Sequence, residues 1–485
     1  MHLLDQIDLW AHLAPDRPAH LSDHHTLTYG ELRAQSDTVA AWLDAELGES
    51  RAPIAVHGHK EPAMLVAFLG AVKSGRPYVP IDISIPAQRV ERIVANAGAA
   101  VTLTPARVAE LVATPRTAPQ RRVQRDDPFY ILFTSGSTGE PKGVVITLAN
   151  LEHFLTWMTA EHPFELQGEV FLNQAPFSFD LSVMDLYCSL VTGGTLFSIT
   201  KDHVANLKRL YEAFHVAPLT TWVSTPSFAQ MCLIEKTFAE PMLPMLRRFL
   251  FCGETLAPET AAQLLERFPR AEVWNTYGPT EATVATTSVR VDRGLLEKWS
   301  PLPVGRAMPG TQVVILDEQK QRVAEGERGE IVIAGANVSP GYLGRPELTE
   351  RAFFRYEEAP AYRTGDWGRE RAGQIFFEGR MDSQVKVNGY RIELGDLEAN
   401  LRALPEIADA VVLPVMKQDR IDALAAIVVL AVEKTGSDFA FTAQLKTRLA
   451  ERLPAYMVPR KFLYVEAFPM TANGKADRRK LAELL

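Results

Sequence analysis

Tyr130-Ile131-Leu132-Phe133-Thr134-Ser135-Gly136-Ser137-Thr138-Gly139-Glu140-Pro141-Lys142-Gly143 runs from an apolar strand into a loop of hydroxyls and glycines and ends at a lysine. Backbone N–H groups, hydroxyls and an ammonium in that order make a wrapping for polyphosphate. A Walker loop is excluded. Its Gly-Lys-Ser/Thr opens a helix, whereas Lys142 stands between Pro141 and Gly143, so no helix start faces the anion. A flexible surface loop is the alternative reading of a Ser/Gly run, and the flanking strand and the lysine are what argue against it.

Outward from this loop, apolar patches alternate between helical and strand periods, which predicts an α/β fold in layers. Leu151, Phe154, Leu155 and Met158 form a helical stripe that Thr147 is placed to cap. Val313–Leu316 and Glu330–Ala334 read as short strands, and the apolar run from Ala423 to Val432 as a buried one, too short to span a bilayer. A polar, glycine-containing stretch at Gly379–Asp382 predicts a boundary between a large domain, 1–381, and a small one, 382–485.

At 485 residues with 47% hydrophobic and 23% charged side chains, the chain has ordinary globular composition, and its net charge of -8 argues against a general nucleic-acid or anionic-membrane binder. Three scattered cysteines, Cys188, Cys232 and Cys252, supply neither a disulfide framework nor a zinc cluster. With no basic, apolar leader at Met1–Leu13, the expected location is the cytoplasm.

Further segments follow in order: Leu27-Thr28-Tyr29-Gly30-Glu31-Leu32, Lys73–Asp82, Asn275-Thr276-Tyr277-Gly278-Pro279-Thr280-Glu281-Ala282-Thr283, Tyr362-Arg363-Thr364-Gly365-Asp366, Gly379–Lys386, Leu453–Pro459 and Asn473-Gly474-Lys475-Ala476-Asp477-Arg478. Together with the loop at 133–143, this series resembles the adenylate-forming superfamily of peptide-synthetase adenylation domains, acyl-CoA synthetases and luciferases. The resemblance implies a large N-terminal adenylate-forming domain of layered α/β subdomains and a small, mobile α+β C-terminal domain. It also implies a reaction: a carboxylate is joined to the α-phosphate of ATP, pyrophosphate leaves, and the acyl group passes to a thiol.

The resemblance carries residue roles as well. Thr134, Ser135, Gly136, Ser137, Thr138 and Lys142 would hold the phosphates. Glu281 would hold Mg²⁺, and Thr280 would lie near the α-phosphate. Tyr277 would stack on adenine beside Asn275, Thr276 and Gly278, with Asp366 and Arg380 at the ribose. Lys475, in isolation a surface lysine in a basic tail, would reach the carboxylate and α-phosphate from the small domain. Asp382 would be the hinge, and Lys386–Tyr390, around Gly389, would meet the entering pantetheine.

Asp180, in Phe177-Ser178-Phe179-Asp180-Leu181-Ser182-Val183-Met184-Asp185, reads either as a helix cap or paired core carboxylate, or as the partner of a substrate ammonium. In amino-acid-activating members the aspartate at this place has the second role. Cys252, in Phe249-Leu250-Phe251-Cys252-Gly253-Glu254, reads as a small core residue or as a filler of the pocket where most relatives carry glycine. With Val284 it would line a pocket for little more than a methyl group.

These segments are similar to the subgroup that loads D-alanine onto the phosphopantetheine arm of a carrier protein for lipoteichoic acid modification. D-alanine and a separate carrier protein supplied in trans are therefore the expected partners, with no nucleic acid and no membrane. A freestanding adenylation enzyme loading L-alanine, glycine or another small amino acid is the alternative. Asn388, Trp367 and Asp396 depart from the subgroup's pattern. An acyl-CoA synthetase is disfavoured by Asp180, and a nucleotide sensor without catalysis by the full set Glu281, Asp366, Arg380 and Lys475.

Overall fold

A computed structural model of the chain describes residues 3–22, 25–119, 121–135, 140–382, 384–387, 390–417, 420–434, 437–470 and 476–485. The chain forms two compact units. The first comprises Met1–Asp82, Asn96–Leu132 and Gly143–Met381, the second Ile83–Ala95, Phe133–Lys142 and Asp382–Leu485.

In the first unit a nine-stranded sheet has a parallel centre. Pro18–Ser22, Thr195–Ser198, Val170–Asn173, Thr221–Ser224, Arg248–Phe251 and Glu272–Tyr277 run the same way, and antiparallel strands close both edges. Parallel strands joined by helices are covered on both faces, so they are buried throughout rather than on alternate residues. All four residues of Arg248–Phe251 and of Thr221–Ser224 are buried accordingly. The carboxyl ends of three of these strands open into the segments 174–180, 252–254 and 278–284. In α/β sheets that edge is where backbone groups and loops are free to meet a ligand.

A six-stranded sheet holds Ile54–Gly58, Tyr78–Asp82 and Pro128–Thr134 as parallel neighbours. A five-stranded antiparallel sheet includes Thr311–Leu316, Gly329–Gly335, Ala359–Arg371 and Gln374–Arg380, and so contains both strands expected in that region. Thr147 caps the helix Leu148–Glu161 in a reciprocal box with Asn150, its hydroxyl accepting from Asn150 N at 3.2 Å.

The second unit pairs Ile407–Lys417 with Arg420–Leu430, which lies parallel to Lys461–Tyr464. The helices Leu394–Arg402 and Asp438–Ala450 cover this sheet with Leu397, Leu401, Leu445 and Leu449, giving an α+β unit with its own core. The strand expected over Ala423–Val432 ends two residues earlier, at Leu430, because its partner strand begins at Ile407 opposite that residue; Val432 beyond it is exposed. No helix among the described residues is long and apolar enough to cross a membrane.

Candidate active site

Three loops of the first unit meet at the carboxyl edge of the parallel sheet. Asp180 immediately precedes the helix Leu181–Thr192 but makes no cap hydrogen bond to it. Its Oδ2 instead accepts from Thr280 Oγ1 at 2.6 Å, across a hundred residues of sequence. Within the first reading of Asp180 the helix cap is removed by geometry, whereas a paired carboxylate and a partner for a substrate ammonium both remain open. The carboxylate sits at a helix start, where the peptide dipoles favour negative charge.

Cys252 follows the strand Arg248–Phe251 and is 3% exposed, with its Sγ 3.6 Å from Val284 O. Gly253, at φ +93, turns the chain away just after it. Val284 and the preceding Thr283 both have left-handed backbones, φ 69 and 57, a conformation that costs a β-branched residue on the order of 1–3 kcal/mol.

Asn337 holds that strain. This fully buried side chain donates to Ala282 O at 3.0 Å and to Thr286 Oγ1 at 3.0 Å, and accepts from Thr311 Oγ1 at 2.9 Å, while Thr283 Oγ1 donates to Asn337 O. The sequence reading missed Asn337. Its signal was a lone amide in the otherwise small and apolar run Ala334–Val338, where a buried polar group must be fully bonded.

The 3-10 turn Thr280–Ala282 buries Glu281 completely, and Tyr342 OH donates to its Oε1 at 2.7 Å. Gly278 leaves no room for a side chain, since a Cβ there would lie 2.6 Å from Ala285 Cα. Asn275 donates to Pro303 O at 2.8 Å and Thr276 Oγ1 to Phe251 O at 2.8 Å, so both anchor the strand leading into the turn.

Tyr277, Asp366 and Arg380 form one bonded cluster. Tyr277 OH donates to Asp366 Oδ2 at 2.5 Å, and Arg380 Nη1 donates to Asp366 Oδ1 at 2.8 Å and to Thr364 O at 2.8 Å. Burial first, and the Asp366 charge second, push the Tyr277 hydroxyl well above the usual phenol range, so it acts only as a neutral donor. Each Asp366 oxygen retains a second lone pair with which to accept from a diol.

In the second unit, Thr134 ends the strand Pro128–Thr134 with its hydroxyl buried and without a hydrogen-bond partner among the described residues. Ser135 Oγ donates to Arg391 O at 3.0 Å and accepts from Glu393 N at 3.2 Å. Lys142 opens the strand Lys142–Thr147, and Asp382 Oδ1 accepts from Gln384 N at 3.0 Å. Gly136, Ser137 and Thr138 of the loop, Asn388, Gly389 and Lys475 lie outside the described residues. Of the remaining departures, Trp367 lies under the Arg328 guanidinium at 4.7 Å, and Asp396 is buried against Arg89 Nη2 at 3.0 Å and Asn400 Nδ2 at 2.9 Å.

The chemistry of the first unit is coherent. It presents a carboxylate at a helix start bonded to a threonine hydroxyl, a buried cysteine against a backbone carbonyl, a bonded Tyr-Asp-Arg cluster, and a fully buried glutamate. Residues 7–343 match the AMP-binding enzyme family and residues 396–475 match the AMP-binding enzyme C-terminal domain. The chain belongs to the AMP-binding enzyme family, as an ATP-using enzyme of α/β architecture with a smaller C-terminal domain.

Over its whole length it is 48% identical to the D-alanine--D-alanyl carrier protein ligase of Bacillus licheniformis, spanning 100% of this chain and 99% of that protein. It is also 48% identical to the ligase of the same name from Bacillus anthracis, over 99% of each. Among solved structures, the Vibrio cholerae adenylation domain AlmE has the same fold, with a TM-score of 0.85 at 23% identity over 99% of this chain and 98% of that one. The peptide-synthetase protein PA1221, which contains adenylation and carrier domains, superposes with a TM-score of 0.84 at 27% identity, covering 100% of this chain and 84% of that one.

Proposed function

We propose that the protein is a D-alanine:carrier protein ligase. It joins the D-alanine carboxylate to the α-phosphorus of ATP, with the bond to the β-phosphate breaking and pyrophosphate leaving. It then passes the D-alanyl group to a phosphopantetheine thiol of a separate carrier: the sulfur attacks the acyl carbon, AMP leaves, and the thiol proton is released. The relatives named above support the substrate and partner.

The observation that carries the reading is the Thr280–Asp180 hydrogen bond at 2.6 Å. An α-amino acid separates its ammonium from its carboxylate by one carbon, so the groups that recognise the two ends must lie side by side. Asp180 takes the ammonium, and Thr280 faces the α-phosphate end. Cys252 and the Val284 backbone, in contact at 3.6 Å, limit the side chain to a methyl group. Tyr277 packs adenine, and Asp366 with Arg380 holds the ribose. Thr134, Ser135, Gly136, Ser137, Thr138 and Lys142 hold the β- and γ-phosphates, and Lys475 supplies charge at the α-phosphate. Asp382 is the hinge between the two half-reactions.

A single buried carboxylate suits Mg²⁺, a hard cation that keeps few protein ligands and takes the rest of its oxygens from phosphates and water. Glu281 would hold it, where it would neutralise charge on the phosphates. Tyr342 fixes the Glu281 carboxylate for that purpose.

Amino-acid-dependent ATP–pyrophosphate exchange with D-alanine, L-alanine, glycine and D-serine tests the reading. D-Alanine should give the fastest exchange; a faster rate with L-alanine or glycine overturns the assignment of substrate. Cys252→Ala should narrow the preference for D-alanine over L-alanine and D-serine about tenfold, the discrimination that one small group in a pocket provides. An unchanged preference removes Cys252 from the specificity argument.

A further inference from the structure

The turn that carries Asp180 is stitched from beneath by a polar cluster that the reaction as described does not use. Lys60 follows the strand Ile54–Gly58 and is 1% exposed. Its Nζ donates to Asn173 Oδ1 and to Ala175 O, and lies 4.5 Å from the centroid of the Phe177 ring. Asn173, fully buried at the end of the strand Val170–Asn173, donates in turn to both oxygens of the buried Asp185, at 3.1 and 3.2 Å, on the helix Leu181–Thr192. Ser198 Oγ completes the hub, donating to Asn173 Oδ1 at 2.8 Å.

The segment from Asn173 to Asp185 is therefore held at its entry by Lys60 and at its exit through Asn173 and Asp185, and Asp180 lies between the two anchors. Such a cluster is a poor device for stability alone. Burial pushes the Lys60 ammonium down to about 7 and the Asp185 carboxyl up to about 8, the mark of two groups that the core accepts only against their solvation. Apolar side chains of equal volume would commonly serve a core as well or better, whereas buried polar networks pin one arrangement against its neighbours.

We propose that Lys60 is a positioning residue for amino-acid recognition: by clamping Ala175 and Phe177 to Asn173 it sets where the Asp180 carboxylate stands relative to the substrate ammonium. This rests on the assignment of Asp180 as the ammonium partner. Lys60 touches neither substrate nor nucleotide in this role, and its influence falls on one end of the substrate. The cluster of Tyr277, Asp366 and Arg380 is bonded within itself and to Thr364, residues that do not belong to the Lys60 cluster.

Lys60→Met keeps the length of the stem and removes the clamp. Its affinity for the non-hydrolysable acyl-sulfamate analogue of D-alanyl adenylate and its KM for D-alanine should each worsen roughly tenfold or more, the scale set by a small displacement of a recognition group. Affinity for AMP, KM for ATP and kcat should stay within about twofold. Lys60→Gln, which still offers Ala175 O a donor, should recover part of the loss. A purely structural lysine would lower melting temperature and active fraction while leaving the KM for D-alanine untouched, and that result overturns the proposal. So does a parallel loss of ATP and D-alanine affinity, or failure of both variants to fold. If the wild-type enzyme binds AMP but not the D-alanyl analogue, the substrate reading itself falls; if it binds the analogue and both variants match it, only the role of Lys60 does.

Discussion

A Lys475→Ala enzyme is expected to lose D-alanine-dependent pyrophosphate exchange by at least about 10²- to 10³-fold, the effect of removing one preorganised donor from developing charge. It should still transfer the D-alanyl group from supplied D-alanyl adenylate to a holo carrier protein at close to the wild-type rate. The asymmetry follows from electrostatics. In the first half-reaction a carboxylate must approach a triphosphate, and at contact distance two like charges repel by about 4 kcal/mol even at an effective dielectric of 20. In the second, the attacking sulfur meets an acyl carbon that is already activated, and no such pair of anions has to be forced together. Measuring both half-reactions on one preparation checks the division; equal losses would mean that Lys475 serves the fold or both steps alike.

Asp180→Asn should lower kcat/KM for D-alanine by roughly 10²-fold, corresponding to the ~3 kcal/mol that truncating one partner of a hydrogen-bonded charge pair removes once bound substrate covers it. The loss should appear in the KM for D-alanine, with the KM for ATP nearly unchanged. Melting temperature should move little, since Asp180 makes no cap bond to its helix and asparagine can still accept from Thr280 Oγ1. An unaltered D-alanine KM would return Asp180 to the alternative of a paired core carboxylate.

Much of the architecture could be read from the chain because its causes are local. The strand at 330–334, the capped helix after Thr147 and the apolar run at 423–430 are each dictated by side-chain period and by flanking glycines or caps within a few residues. The strand end near 430 was misplaced by two residues because it is set by where the partner strand begins, at Ile407 opposite Leu430, which no local pattern announces.

The candidate site divides the same way. Residue types with a chemical signature stood out: a Ser/Gly loop ending in lysine, an aspartate among aromatics, a cysteine before a glycine turn. Asn337 and Lys60 were fainter: a lone amide in an apolar run signals a polar group in need of partners, and a lone lysine before a helix not even that, and neither names the groups it will bond. The strain at Thr283 and Val284 was equally silent, since β-branched residues do not advertise a left-handed backbone and the Asn337 bonds that help hold it come from far along the chain.

Order of elements and class of chemistry were written in the linear chain, for they follow from patterns spanning a handful of neighbours. Which carboxylate answers to which hydroxyl was settled by folding: Asp180 meets Thr280, Tyr277 meets Asp366 and Lys60 meets Asn173 across 100, 89 and 113 positions respectively. Asp180 meets Thr280 because parallel strands of one sheet deliver their carboxyl ends to one edge, and the other two pairs bring together residues of different sheets; in each case the distance along the chain bears no relation to the distance in space.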